Sequence, residues 1–125
     1  MLPLIAVVDD DVAVRESLES LIRSAGMGVT VFASAEEFLR SARPSKLDCL
    51  ILDVRMPGMS GIELHRHLLA SNCKVPVVFI TAHVSDDRAR SEACSDWTVA
   101  YLAKPFSDDE LLNALNAALR LKSRN

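Results

Sequence analysis

Short apolar runs and amphipathic stretches alternate along this chain. Leu4 to Val8 is apolar, rich in branched residues, and ends in Asp9-Asp10-Asp11. A run of that kind, bounded by turn residues, predicts a strand buried on both faces. Val14, Leu18, Leu21, Ile22 and Ala25 then recur at i, i+4, i+7, i+8 and i+11. They form one face of an amphipathic helix, stopped by Gly26 and Gly28. Val29 to Phe32 predicts a second strand. Ser34-Ala-Glu-Glu37 has the spacing of a capping box and opens a helix that ends near Ala42, before Pro44.

The third apolar run, Cys49 to Leu52, ends abruptly in Asp53, and a loop carrying Pro57, Gly58 and Gly61 follows. Ile62, Leu64, Leu68 and Leu69 mark a helix from about Gly61 to Ser71. Pro76 is tolerated at the start of the next strand, Val77 to Ile80, which ends in Thr81. Ser85 to Cys94 is polar with only alanines on any face, a thin basis for a helix. Val99 to Leu102 predicts a fifth strand, ended by Lys104-Pro105. Ser107-Asp-Asp-Glu110 is a second capping box, and Leu111, Leu112, Leu115, Ala118 and Leu119 give the last helix a strong apolar face.

Strand and helix therefore alternate five times with short connections. That pattern implies an α/β fold: a parallel sheet with right-handed crossovers and helices on both faces. The commonest five-stranded solution is the flavodoxin-like (βα)5 arrangement, strand order 2-1-3-4-5.

Composition narrows the function classes. The chain has 125 residues, half of them hydrophobic and a quarter charged, with net charge −3. The expectation is one domain over residues 1–125, with its core from about residue 4 to residue 121 and no further domain in this chain. No basic run stands out, so direct nucleic-acid binding by this domain is not expected. No apolar run approaches the ~18 residues that span a bilayer, and the N-terminus lacks a signal-peptide pattern. The three cysteines, Cys49, Cys73 and Cys94, have no metal spacing and read as free thiols of a reducing cytoplasm.

Candidate chemistry comes from the residues just past each strand. The first strand delivers Asp9 and Asp10, the third Asp53, the fourth Thr81 and the fifth Lys104. In a 2-1-3-4-5 sheet, strands one and three are neighbours and the switch point lies between them, so the three carboxylates converge in one crevice. Unpaired, they repel and raise each other's pKa. A hard divalent cation relieves that, and few protein ligands in an open site favour Mg²⁺. Thr81 offers a hydroxyl and Lys104 a mobile charge, both suited to phosphate oxygens. A carboxylate beside Mg²⁺ and lysine is a nucleophile for a phosphoryl group. Spacing does not choose Asp53 over Asp9 or Asp10. Asp11 reads instead as a helix N-cap.

Val8-Asp9-Asp10-Asp11, Leu52-Asp53-Val-Arg-Met-Pro57-Gly-Met-Ser-Gly61, Ile80-Thr81-Ala82 and Tyr101-Leu-Ala-Lys104-Pro105-Phe106 resemble the motifs of response-regulator receiver domains of two-component signalling. The resemblance runs from Leu4 to about Leu121. It implies that Asp53 is the phosphoacceptor, served by a histidine kinase or phosphotransfer protein. It implies Mg²⁺ held by Asp10, by Asp9 directly or through water, by Asp53, and by the backbone carbonyl of Arg55. Lys104 is then the lysine that pairs with the phosphoryl group, and its bond to Pro105 is cis in many relatives. Thr81 swings toward that group, Tyr101 turns inward, and the face of the fourth helix, fifth strand and fifth helix carries the output, with homodimerisation as one outcome. The Arg15-Glu-Ser-Leu18 helix and the loop after Asp53 resemble receivers joined to helix-turn-helix transcriptional regulators. Arg55 and His83, two residues beyond Asp53 and Thr81, occupy positions that tune the phosphoryl lifetime in the family; two solvated side chains are the plain alternative.

Two departures stand out. Relatives usually carry Gly-Ala two or three residues before the aromatic, where this chain has Asp96-Trp97-Thr98-Val99-Ala100. The segment from Thr81 to Lys104 is also about one residue longer. Trp97 reads equally as a partner anchor or a local filler, and Tyr101 has a plain alternative as a strand aromatic with a wet hydroxyl. The thin apolar stripe predicts that residues 85–97 are mobile before phosphorylation. Two other classes fit the residues less well. A Mg²⁺-dependent phosphohydrolase would carry a second Asp where Arg55 stands. A flavin-binding module would need a phosphate loop where Asp9-Asp10-Asp11 stands. The domain is therefore read as a switch that assists only its own phosphorylation and dephosphorylation, without a turnover role.

Overall fold

The computed structural model describes residues 2–83 and 85–124. Five strands, β1 (Leu4–Val8), β2 (Gly28–Phe32), β3 (Cys49–Asp53), β4 (Val77–Thr81) and β5 (Thr98–Ala103), pair in parallel in the order β2-β1-β3-β4-β5. Each is followed by a helix: α1 (Val12–Ser24), α2 (Ala35–Ser41), α3 (Gly61–Ala70), α4 (Asp87–Ala93) and α5 (Asp108–Arg124). The topology is the expected flavodoxin-like one.

Alternation along the strands divides the core in two, because successive strand side chains face opposite ways. Ala6, Val8, Leu50, Leu52, Val77 and Phe79 pack beneath α2, α3 and α4 with Phe38, Leu64 and Ala93. Ile5, Val7, Ile51, Val78 and Ile80 pack beneath α1 and α5 with Leu18, Ile22, Leu111 and Leu115. β3 and β4 are buried at every position, which is why their sequences read as continuous apolar runs.

The helix starts follow local chemistry. Asp11 caps α1, its side chain accepting from Ala13 N–H. Ser107 and Glu110 exchange bonds as a full capping box. At α2 the box is only half formed: Ser34 Oγ accepts from Glu37 N–H, but the Glu37 carboxylate accepts from Ala33 N–H rather than from Ser34. A further capping box, Ser60 with Glu63, opens α3 directly after the loop that follows Asp53.

α4 is a genuine but short helix. Asp86 caps it, Arg88 and Glu92 pair across one turn, and Ala89 and Ala93 supply its contact with the core. The pairing of β5 with β4 carries an irregularity. Val77 pairs with Thr98 and Val78 with Ala100, leaving Val99 as an inserted residue. Val99 and Ala100 consequently both pack on the α1/α5 side, as a β-bulge requires. Trp97 is half-buried, and its carbonyl accepts from Val77 N–H.

Cys49 is buried, Cys73 half-buried and Cys94 exposed, and all three are free thiols. Among the described residues no helix is long and apolar enough to cross a membrane.

Candidate functional site

The carboxyl ends of β1, β3 and β5 bring four of the expected residues together. Carboxylate oxygens of Asp9, Asp10 and Asp53 all lie within 4.8 Å of one another. Asp9 is fully buried and Asp53 is 5% exposed, while Asp10 faces solvent. Lys104 Nζ stands between the two buried acids, 2.9 Å from Asp9 Oδ2 and 3.4 Å from Asp53 Oδ2. Its backbone N–H donates to the Thr81 carbonyl at 2.7 Å, which ties the end of β5 to the end of β4. The Lys104–Pro105 peptide bond is cis.

The backbone around this cluster is anchored from several sides. The Asp9 carbonyl accepts from Arg15 Nη1 at 2.8 Å, and Asp9 Oδ1 accepts from Asp11 N–H at 2.9 Å. Both bonds draw the start of α1 onto the end of β1. After Asp53, Gly61 N–H donates to the Val54 carbonyl at 3.1 Å, and Met59 N–H donates to Glu36 of α2 at 3.0 Å. Gly58 in that loop has a φ of 76°, a conformation that suits glycine, and a side chain there would run into the Glu36 carboxylate.

The electrostatics follow from burial. Asp53 is pushed up to about 7, first by burial and then by the Asp9 charge, against the pull of Lys104. Burial depresses the Lys104 ammonium, but its bond to Asp9 and the two acidic charges outweigh that and raise it. Two buried carboxylates share one lysine, so negative charge is in excess. Every donor in the cluster is an oxygen and one side is open, a set that fits a hard dication such as Mg²⁺.

Thr81 is buried at the end of β4, and its Oγ1 accepts from His83 N–H at 2.9 Å. Tyr101 lies on the α3/α4 side of β5, its ring 6.3 Å from that of Phe79. Its hydroxyl is buried near Thr81 without meeting any group at hydrogen-bond geometry, so it is not the wet hydroxyl of the plain alternative. Burial, and then the Asp86 charge, push the phenol above its ordinary value. The Arg90 guanidinium stands over the ring, 5.3 Å from its centroid.

Two expected residues do not reach the cluster through their side chains. Arg55 is exposed, and its guanidinium pairs with Asp86 at the start of α4; toward Asp53 it offers only its backbone, which favours the charged carboxylate slightly. His83 is exposed and contributes backbone groups: its N–H to Thr81 and its carbonyl to Asp86 N–H. Asp86 was absent from the sequence expectations, although its place before a short helix has the character of an N-cap. His65 was also missed. It is buried in α3, its Nε2 2.8 Å from Ser95 Oγ and its ring edge-on to Phe79. It stands three residues after Ile62 and three before Leu68, a core position by helical period.

Comparison with known proteins identifies the family. The family model described as the response regulator receiver domain matches residues 5–116. Nodulation protein W of Bradyrhizobium diazoefficiens is 44% identical over 115 residues, covering 92% of this chain and 50% of that protein. The response regulator protein TodT of Pseudomonas putida is 44% identical over 118 residues, covering 94% of this chain and 52% of that protein. The solved structure of the response regulator StyR superposes with a TM-score of 0.87 at 44% identity, covering 99% of this chain and 62% of that one. The chain thus spans about half the length of the curated relatives it matches. Motifs, topology and matches converge: this chain belongs to the response regulator receiver domain family of two-component signalling.

Proposed function

We propose that this domain, residues 1–125, is phosphorylated on Asp53 by a histidine kinase or phosphotransfer protein and thereby controls transcription through an output region or partner. The observation that carries the reading is Lys104 standing between buried Asp9 and Asp53, with Asp10 completing an open oxygen cluster. An Asp53 oxygen bonds to phosphorus as the phosphorus–nitrogen bond to the donor's histidine breaks and the imidazole leaves. Lys104 follows the new negative charge and pairs with a phosphoryl oxygen. Hydrolysis reverses the gain: water attacks phosphorus, the Asp53 carboxylate departs, and inorganic phosphate is released.

Asp9, Asp10, Asp53 and the Arg55 carbonyl are the groups that would hold Mg²⁺. When bound, the ion offsets the excess of carboxylate charge and orients phosphoryl oxygens. The domain is a switch and not a turnover enzyme. A groove of about 400 Å³, lined by Ala13, Val14, Ser17, Leu18 and Lys104–Phe106, reaches the site at Lys104 and is the seat proposed for the donor protein.

The output side begins at Thr81. When its hydroxyl turns to the phosphoryl group, the surroundings of Tyr101 change, and α4, β5 and α5 shift between two packings. That face is also where a phosphorylation-dependent homodimer would form. Intact mass after incubation with Mg²⁺ and acetyl phosphate tests the reading. One added phosphoryl group on the wild type and none on Asp53→Asn is expected. An adduct of equal yield on the variant would overturn it.

A further inference from the structure

Arg55 and Asp86 lie 31 positions apart in the sequence and meet at the mouth of the crevice. Arg55 comes from the loop after β3, two residues beyond Asp53. Asp86 comes from the start of α4 and divides its two oxygens between separate tasks. Oδ1 accepts from Ala89 N–H at 3.0 Å and caps the helix, while Oδ2 receives the Arg55 guanidinium. Its own N–H donates to the His83 carbonyl at 3.1 Å. Asp86 thereby joins the acceptor loop, the segment after Thr81 and α4.

We propose that Asp86 is a positioning residue for the phosphoryl chemistry: it holds the Arg55 guanidinium away from Asp53 and gives it up once a phosphoryl group is attached there. The inference rests on Asp53 being the phosphoacceptor. The Cα of Arg55 is no more than about 7.6 Å from that of Asp53, since each peptide step spans 3.8 Å. An arginine side chain covers that distance.

Charge decides where the guanidinium goes. A phosphoryl group presents close to two negative charges and three acceptor oxygens, against one charge on Asp86. Arginine's planar fork suits phosphate oxygens. The pair it leaves is weak, because the two side chains are 56% and 28% exposed. A weak latch yields readily to a stronger competitor, while Oδ1 keeps α4 capped.

Once on the phosphoryl group, Arg55 covers the solvent side from which water must approach in line with the Asp53 oxygen. Asp86 therefore shortens the lifetime of the phosphorylated form by competing for the guanidinium. The same exchange removes a tie between the acceptor loop and α4, next to Tyr101. Asp86 thus links phosphoryl lifetime to the output face.

The test is the decay of the acetyl-phosphate-loaded protein in Mg²⁺ for wild type, Asp86→Asn, Arg55→Gln and the double variant. Asn retains the helix cap and removes only the charge. Asp86→Asn is expected to slow decay by about threefold or more, the coupling typical of contacting partners. In the Arg55→Gln background the same change is expected to have no effect. A cap-only role for Asp86 would give one factor in both backgrounds. That result, or an unchanged or faster decay in Asp86→Asn, overturns the proposal while leaving Asp53 as acceptor. A wild type that takes up no phosphoryl group overturns both.

Discussion

A methyl group at position 61 would stand 2.2 Å from the carbonyl oxygen of Asp53. Gly61 is the first residue of α3, and that helix begins pressed against the backbone of the acceptor strand. The Ser60–Glu63 capping box holds the helix start in place, so neither side can retreat cheaply. Gly61→Ala must displace either α3 or the end of β3. It is expected to cost about 1–3 kcal/mol, the range for overpacking a tight site. Urea unfolding measures this directly, and wild-type stability in the variant would show that the contact is soft.

His65 gives the fold a pH dependence separate from the acidic cluster. Burial holds its pKa below the ordinary value of 6.5, and its Nε2 meets Ser95 Oγ. The folded state therefore favours the neutral ring. Above pH 6.5 both folded and unfolded chains carry it neutral, and its contribution is fully present. As pH falls below 6.5 the unfolded chain takes up the proton first, and stability is lost until the folded-state pKa is passed. Asp53, raised to about 7 in the fold, adds stability as pH falls through that range in both proteins, so His65 is read from a difference. Chemical unfolding at pH 7.5, 6.5 and 5.5 should show wild type losing stability relative to His65→Gln as pH falls. Parallel profiles in the two proteins would remove His65 as the cause.

α4 is the least secured helix. It has seven residues and a single fully buried side chain, Ala93. Its C-terminal end is better held: Ser95 Oγ bridges His65 and Thr98 Oγ1, and the Thr98 hydroxyl donates to the Ala93 carbonyl. Amide exchange in the unphosphorylated protein is expected to be fastest around residues 85–92, relative to α1, α3 and α5, and slower from Ser95 onward. Protection of α4 equal to that of α5 would contradict this account.

What the sequence made legible, and what it did not, divides by the range of the interactions. The strands were readable because burial on both faces leaves unbroken apolar runs such as Cys49–Leu52. The acidic cluster was readable because a parallel sheet sends every strand end to one edge, so Asp9, Asp10, Asp53 and Lys104 needed only a topology to be placed together. The bulge at Val99 depends on β4 pairing, which no local pattern marks. The Arg55–Asp86 pair left no trace, since two exposed charges 31 residues apart carry no periodic signal. His65 was hidden for the opposite reason: its position was periodic, but its polarity masked a core site.

The choice of Asp53 over its two acidic neighbours is the central claim, and one measurement addresses it directly. Borohydride reduces an aspartyl phosphate to homoserine and leaves free aspartate unchanged. Peptide mass spectrometry after acetyl phosphate, Mg²⁺ and borohydride should find homoserine at position 53, with positions 9 and 10 still aspartate. Homoserine at position 9 or 10, with position 53 intact, would contradict the account.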